Sequence, residues 1–363
     1  MDSLRILMIG AGAIGCFVGG RLASAGHAVT LVGRARTAAA LQTRGLQLYA
    51  ADGALELVPS VNAVASVQEA FPDTYDIAVL AVKSYDTATV LDLMAPLEAL
   101  LPQAILSLQN GVGNEEQIAA RFGPQRVLAG TTTAPVEVKE PGIVQVTKPN
   151  FAIGLADFPG GSQDAASNSL SPLLYSLSSS FSSAGLPTMV YDDAGSMKWS
   201  KLLMNMIGNA TSAILAEPPG VTFADPRIAD LEIDALREAL RVMVAAGIRP
   251  LNVEKYPLRT LAPFLRWCPR PLLRTALHRV VGGARGGKMP SLFLDLEQRK
   301  RGSEVAWYNG AIVRKGVEVG VATPVNRLLT ETVRQLAAEP QLRADWRGNF
   351  GQLAAAAAEE AGS

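Results

Sequence analysis

An α/β fold, with a doubly wound sheet in the N-terminal part and an all-helical C-terminal domain, is what the 363 residues predict. Three observations point there. Short apolar runs alternate with helical stretches from residue 4 to about Asp192, a glycine-rich turn directly follows the first run, and beyond Asp192 the pattern turns to helical periodicity. The expected domains are 1–192 and 193–345, with 346–363 read as a flexible tail whose QLAAAAAEEAGS is either a fraying helix end or disordered.

The strand-like runs are 4–9, 28–32, 77–82 and 104–108. Each is almost continuously apolar and stops at a Gly, a Lys or a polar turn, as strands buried on both faces do. A Ser-rich stretch over 160–183, followed by LPTMVYDD, reads as the last helix and strand before the boundary. Helical periodicity then marks 198–215, 227–246, 290–320 and 326–338. The Pro-, Arg- and Gly-rich segment 256–288 reads as a helix flanked by mobile loops, its basic residues forming a solvated face or attracting an anionic ligand.

Composition narrows the function classes. With 48% hydrophobic and 18% charged residues, the chain suits a soluble globular protein of more than one domain. Lys plus Arg and Asp plus Glu stand at 33 each, so no net field favours nucleic acid or a membrane, and a small molecule is the expected partner. Cys16 and Cys268 match neither a metal-ligand spacing nor a disulfide framework, so no metal is expected and the compartment is a reducing one. The opening MDSLRILMIGAGAIG lacks the regions of a secretory signal, and a cytoplasmic protein is expected. Its assembly is left open, a homodimer included.

The turn after the first strand is Gly10-Ala11-Gly12-Ala13-Ile14-Gly15, and a helical run and the second strand follow it. This is the setting of a Rossmann dinucleotide site: Gly10 permits the tight turn, Gly12 clears space for the pyrophosphate, and Gly15 lets helix and strand pack closely. The phosphates then meet unpaired helix N–H groups. At the end of the second strand, Val32-Gly33-Arg34 offers no carboxylate for the ribose hydroxyls. A guanidinium there suits a 2′-phosphate, so NADP(H) is expected over NAD(H), with Arg36 in support; a solvated loop arginine is the alternative. Lys83 after AVLAV and Asn110 after ILSLQ stand at strand ends that face the ligand crevice of such sheets, although turn chemistry alone also explains Asn110-Gly111.

In KWSKLLMNMIGNATSAIL, Lys201, Asn205 and Asn209 recur at i, i+4 and i+8 among Leu, Met and Ile. One amine and two carboxamides on an apolar helix suggest a partly buried polar groove; interhelical hydrogen bonds are the alternative. A lysine ammonium can stabilise the alkoxide that develops when a ketone accepts hydride, and then protonate it. The asparagines can orient a carboxylate or hydroxyl without adding charge. Glu304 reads either as a first-turn carboxylate or as a ligand of substrate or cofactor.

Taken together, the blocks GAGAIG, AVKSYDT, LQNGVGNEE, GTTTAPVEV with PGIVQV, KWSKLLMNMIGNATSAI, PSLFLDLE and SEVAWYNGAIVRKGVEVGVATPVN resemble the ketopantoate reductase (2-dehydropantoate 2-reductase) family. The resemblance implies NADPH-dependent reduction of ketopantoate to pantoate, a step of pantothenate biosynthesis. It implies Lys201 as catalytic acid, Asn205 and Asn209 as substrate-orienting residues, and Ser291 against the substrate carboxylate. Glu304 would lie near the substrate hydroxyl and cofactor, Asn110 beside both ligands, and Val136 would make a backbone contact to cofactor. The chain departs from the family pattern in LEQRKRGS before Glu304, in Pro219 where some members place an Asn, and in the apparent insertion 256–288. Another branched 2-oxoacid or a β-hydroxyacid is the alternative substrate, and an NADPH-sensing protein without turnover is the alternative of another class.

Overall fold

The computed structural model describes residues 3–58, 61–71, 73–158, 170–253, 256–285, 287–298 and 302–362. It divides into two compact units, Met1–Lys198 and Trp199–Ser363. The division falls after Lys198, inside the helix Ala194–Met206, rather than at Asp192.

The strands of the first unit are β1 (Arg5–Ile9), β2 (Ala28–Val32), β3 (Leu46–Tyr49), β4 (Leu55–Val58), β5 (Asn62–Val64), β6 (Ile77–Leu80), β7 (Ala104–Ser107), β8 (Val127–Thr132), β9 (Val136–Glu140), β10 (Ile143–Val146), β11 (Ile153–Asp157) and β12 (Thr188–Tyr191). Eight of them form a sheet in the order β12-β11-β8-β7-β6-β1-β2-β5. All neighbours pair in parallel except β11 with β8. The chain winds outward from β1 in both directions, to β2 on one side and β6 on the other, which makes the ends of β1 and β6 the switch point where ligands bind such sheets. Alternation along β1 feeds two cores: Ile6 and Met8 pack with Phe17, Leu177 and Phe181, and Leu7 and Ile9 pack with Leu91, Met94, Ile118 and Phe122. Both faces are thus covered by helices, as the continuous apolar runs require.

A second, four-stranded sheet, β4-β3-β10-β9, was not expected from the sequence. Its strands are short, and β4 and β9 are largely exposed, so period-two alternation has little length in which to show. The helix Ala13–Ser24 lies between the sheets. A Cβ on Gly19 would approach Leu31 Cδ2 of β2 to 3.1 Å, and one on Gly20 would approach Leu46 Cδ2 of β3 to 2.8 Å. Adjacent glycines therefore let one helix touch a sheet on each side.

The described residues of the second unit are helical, apart from an isolated bridge between Val253 and Tyr256. Its central helix, Pro226–Ala245, starts at Asp225, whose Oδ1 accepts the Arg227 N–H at 2.8 Å. The helices Leu258–Trp267, Arg270–Arg285, Asn309–Glu318, Pro324–Ala338 and Phe350–Gly362 pack against it. Four expectations change here. The stretch 198–215 is two helices, Ala194–Met206 and Asn209–Leu215. The stretch 290–320 is interrupted after the helix Ser291–Glu297 and resumes in a turn, Glu304–Trp307, with 299–301 of LEQRKRGS outside the described residues. The segment 256–288 holds two packed helices, Leu258–Trp267 and Arg270–Arg285, rather than one helix flanked by mobile loops: Cys268, Leu273, Leu277 and Val281 join Phe223, Ala229 and Ile233 in one core, and Arg270 and Arg274 pair with Asp234 and Asp230. Residues 350–362, expected to be a flexible tail, are a helix with Leu353 fully buried. Its alanines are strong helix formers, and burying one Leu is worth about 1.5–3 kcal/mol.

The Ser-rich stretch is in part outside the described residues, at 160–169; the helix Ser171–Ser183 and β12 follow as expected. Among the described residues no helix is long and apolar enough to cross a membrane.

Candidate active site

The glycine-rich turn is closed by its own backbone. Gly10, at φ +115°, and Ala11 both donate to Val32 O at the end of β2, at 2.9 and 3.0 Å. A Cβ on Gly15 would lie 1.9 Å from Gly10 O, so turn and helix meet backbone to backbone there. A Cβ on Gly12 would meet nothing within 4 Å. Gly12 is also the N-cap of the helix Ala13–Ser24 and supplies no side-chain cap, which leaves first-turn N–H groups, including those of Ala13 and Ile14, to an anion. Cys16, one residue past the turn, is buried, and burial pushes its thiol pKa up to about 12.

Arg34 caps the helix Ala35–Arg44 from the end of β2, with its side chain 86% exposed and Asp86 at 3.8 Å. Arg36 is exposed beside it. Val136 opens β9, an outer strand of the small sheet, and its N–H is already donated to Ala134 O at 3.1 Å.

Lys83 and Asn110 follow β6 and β7, and buried polar side chains tie their turns together. Ser84 Oγ donates to Asn110 O at 2.9 Å; Asn114 Nδ2 donates to Ser84 Oγ and to Asn110 O, both at 3.1 Å. Gln109 Nε2 donates to Val82 O at 3.1 Å and to Thr87 Oγ1 at 2.8 Å. From the helix Ala194–Met206, Lys198 Nζ donates to Gln109 O at 2.7 Å and Gly130 O at 3.1 Å, and lies 2.7 Å from Glu115 Oε1.

In the second unit Lys201 is buried, at 8% exposure, and Asn205 is half-buried one turn on. The stripe does not run on through one helix. Gly208, at φ +62°, breaks it, and its N–H goes to Glu232 Oε2 at 3.0 Å instead of to the preceding turn. Glu232 Oε1 also accepts from Thr211 Oγ1 at 2.6 Å. Asn209 spans the break: its Nδ2 donates to Asn205 O at 3.1 Å and to Ser291 Oγ at 3.4 Å, while its Oδ1 accepts the Leu292 N–H at 3.1 Å. Asn209 and Ser291 are thus brought together at the start of the helix Ser291–Glu297.

Glu304 is 2% exposed in the turn that follows, and Tyr308, fully enclosed, hydrogen-bonds both Glu304 and Ser291. Burial raises the Tyr308 hydroxyl pKa well above its usual value, and the nearby carboxylates of Glu304 and Asp295 push the same way, so it stays a neutral donor.

A family model described as ketopantoate reductase PanE/ApbA matches residues 6–160, and the model of that family's C-terminal part matches 193–337. The chain belongs to the ketopantoate reductase family. Among its relatives, the 2-dehydropantoate 2-reductases of Pyrococcus horikoshii and Archaeoglobus fulgidus are each 30% identical over 332 residues, 91% of this chain and 97% of theirs. The crystal structure of a PanE/ApbA family ketopantoate reductase from Ralstonia eutropha matches with a TM-score of 0.75 and 28% identity, over 93% of this chain and 100% of that one. D-mandelate dehydrogenase, solved with NADH and anilino(oxo)acetate, shares the fold at a TM-score of 0.74 and 22% identity, with the same coverage.

Within this ketopantoate reductase fold, sequence reasoning missed Tyr308, Lys198 and Glu232. Tyr308 stands four residues after Glu304, where an enclosed carboxylate finds a donor from the next turn; that spacing is the signal that could have revealed it. Lys198 begins the same KWSKLL block as Lys201, but its partners Gln109, Glu115 and Gly130 are distant in sequence. Pro219, one of the expected departures from the family pattern, is buried beside Gly208.

Proposed function

We propose that this chain is an NADPH-dependent 2-oxoacid reductase that reduces 2-dehydropantoate (ketopantoate) to pantoate. The observation that carries the reading is Lys201: in a chain that matches both models of the family, the lysine that the resemblance implies as catalytic acid is buried on an apolar helix. Gly10, Gly12 and Gly15 shape a turn whose open side suits a pyrophosphate. The exposed Arg34 guanidinium and the lack of a carboxylate at the end of β2 support a 2′-phosphate, and so NADP(H). Lys83, Asn110, the Val136 backbone and Glu304 complete the cofactor contacts in this reading.

The cofactor, when bound, supplies the hydride. The Lys201 ammonium stabilises the developing alkoxide and gives it a proton, then regains one from solvent. Asn110, Asn205, Asn209 and Ser291 orient the substrate carboxylate and hydroxyl; Ser291 gives up its bond from Asn209 to do so. Glu304, held by Tyr308, accepts from the substrate hydroxyl. The reading keeps the cytoplasm as compartment and leaves the assembly, homodimer included, to direct measurement.

Loss of reduced-nicotinamide absorbance, measured with ketopantoate and a panel of 2-oxoacids, each with NADPH and NADH, tests it. Preference for ketopantoate and NADPH is expected. Turnover on another branched 2-oxoacid alone would move the specificity to a divergent branch, for which Pro219 and the helices over 258–285 are the features in favour. Binding of NADPH without turnover on any oxoacid would make the chain a sensor.

A further inference from the structure

The ion pair between Lys198 and Glu115 is among the most deeply buried charges of the first unit, with side chains 5% and 3% exposed, and neither belongs to the proposed chemistry. Its surroundings explain why an amine is there. Lys198 Nζ donates to two carbonyls, Gln109 O after β7 at 2.7 Å and Gly130 O in β8 at 3.1 Å, and its charge is paired with Glu115 Oε1 in the helix Asn114–Phe122 at 2.7 Å. Gln109 O belongs to the peptide unit that carries the Asn110 N–H. A charged donor on that oxygen fixes the plane from which the Asn110 side chain departs.

The fixed plane reaches further through the side-chain network. The Gln109 amide is held by Val82 O and Thr87 Oγ1, and Asn110 O is held by Ser84 Oγ and Asn114 Nδ2. Asn114 Oδ1 accepts from Thr87 Oγ1 at 3.1 Å, which closes the circuit. The turns bearing Lys83 and Asn110 are therefore one polar body, and Lys198 is its only charged donor among the bonds described.

We propose that Lys198 is a positioning residue for the cofactor: its ammonium sets the Asn110 turn, and through Gln109 the Lys83 turn, in the geometry that receives a nicotinamide dinucleotide. This rests on the reading that those two turns contact the cofactor. Glu115 has a separate task, to balance the buried charge.

That division of labour gives the test. Lys198→Met leaves the Glu115 carboxylate buried without a counter-charge, so the variant loses both stability and the anchor on Gln109 O. Adding Glu115→Gln removes the stranded charge but does not return the anchor. Melting temperature and the Kd for NADPH, from the fluorescence of the bound reduced nicotinamide, are measured for wild type, Lys198→Met and Lys198→Met/Glu115→Gln well below the melting point. The double variant should regain most of the lost melting temperature and still bind NADPH about tenfold or more weakly than wild type, as expected for a displaced contact group. KM for NADPH should rise with it, more than kcat falls. A double variant that binds NADPH like wild type, or an affinity that simply follows melting temperature through the series, would overturn the inference and leave the cofactor reading standing. Wild-type protein that binds neither NADPH nor NADH would overturn both.

Discussion

The glycine-rich turn of the first unit and the polar stripe of the second are held in different ways. Gly10, Ala11 and Gly15 are fixed by contacts among themselves and with the end of the next strand, β2. Lys201, Asn205 and Asn209 stand on a helix whose break at Gly208 is set by Glu232, from another helix, and whose last member is locked to Ser291 and Leu292. A site made by neighbours in sequence can be read as a motif. A site made by distant partners presents only a spacing, and the spacing alone describes a helix that is not continuous.

The largest effect should come from the second region. Lys201→Ala is expected to lower turnover by about 10²–10⁴-fold while the affinity for reduced nicotinamide stays unchanged, as steady-state kinetics and a binding titration will read. Equal losses in turnover and cofactor affinity would mean that Lys201 shapes the fold instead.

Next come two glycines of the turn, which separate what the fold needs from what the ligand needs. Gly15→Ala forces a Cβ onto Gly10 O and should cost about 3 kcal/mol or more by denaturant unfolding. Gly12→Ala meets nothing in the protein and should cost less than about 1 kcal/mol, yet weaken NADPH binding by about tenfold or more. If Gly12→Ala bound NADPH normally, the open side of the turn would not be a phosphate site.

Glu232→Ala probes the long-range support of the stripe. It strands the buried Gly208 N–H and Thr211 hydroxyl and should cost about 1–3 kcal/mol, although Glu232 lies outside every motif.

The smallest effect is a local one. Asp225→Ala removes the cap of the helix Pro226–Ala245 and should cost about 1 kcal/mol at neutral pH. Hydrogen bonds from Arg227 lower the folded-state pKa of Asp225 below its ordinary 3.8. Its contribution is therefore present above that value and is lost as pH falls through the folded-state pKa, so wild-type and variant melting temperatures should converge in acid. A constant difference down to the lowest pH would assign the effect to packing.

The same contrast explains what could be read from residues alone. Strands at 28–32, 77–82 and 104–108 are buried on both faces, so their apolar runs mark them almost to the residue, while Gly10–Gly15 carries its geometry in its composition. The small sheet escaped notice because strands of four or five residues, two of the four largely exposed, hardly differ from loops. The helices over 258–285 were disguised by prolines and arginines whose partners, Asp230 and Asp234, lie on another helix. At the C-terminus the run of alanines suggested fraying, and the buried Leu353 and the Arg327–Glu360 ion pair show what anchors it. Site residues followed suit: Lys201 stood out as a polar group in apolar surroundings and Glu304 as a first-turn carboxylate, whereas Tyr308 and Lys198 take their meaning from whom they touch.

The seam between the compact units lies within one helix, Ala194–Met206, and this bears on how such a gene can be cut and recombined. A first half ended at Asp192, where the strand pattern stops, would keep Glu115 and discard Lys198, stranding a carboxylate in the interior. A fragment ending at Met206 should accordingly be the more stable of the two in urea. Exchange of halves between relatives is expected to succeed only when the crossover carries this helix whole, so the natural unit of inheritance is longer than its pattern of strands suggests.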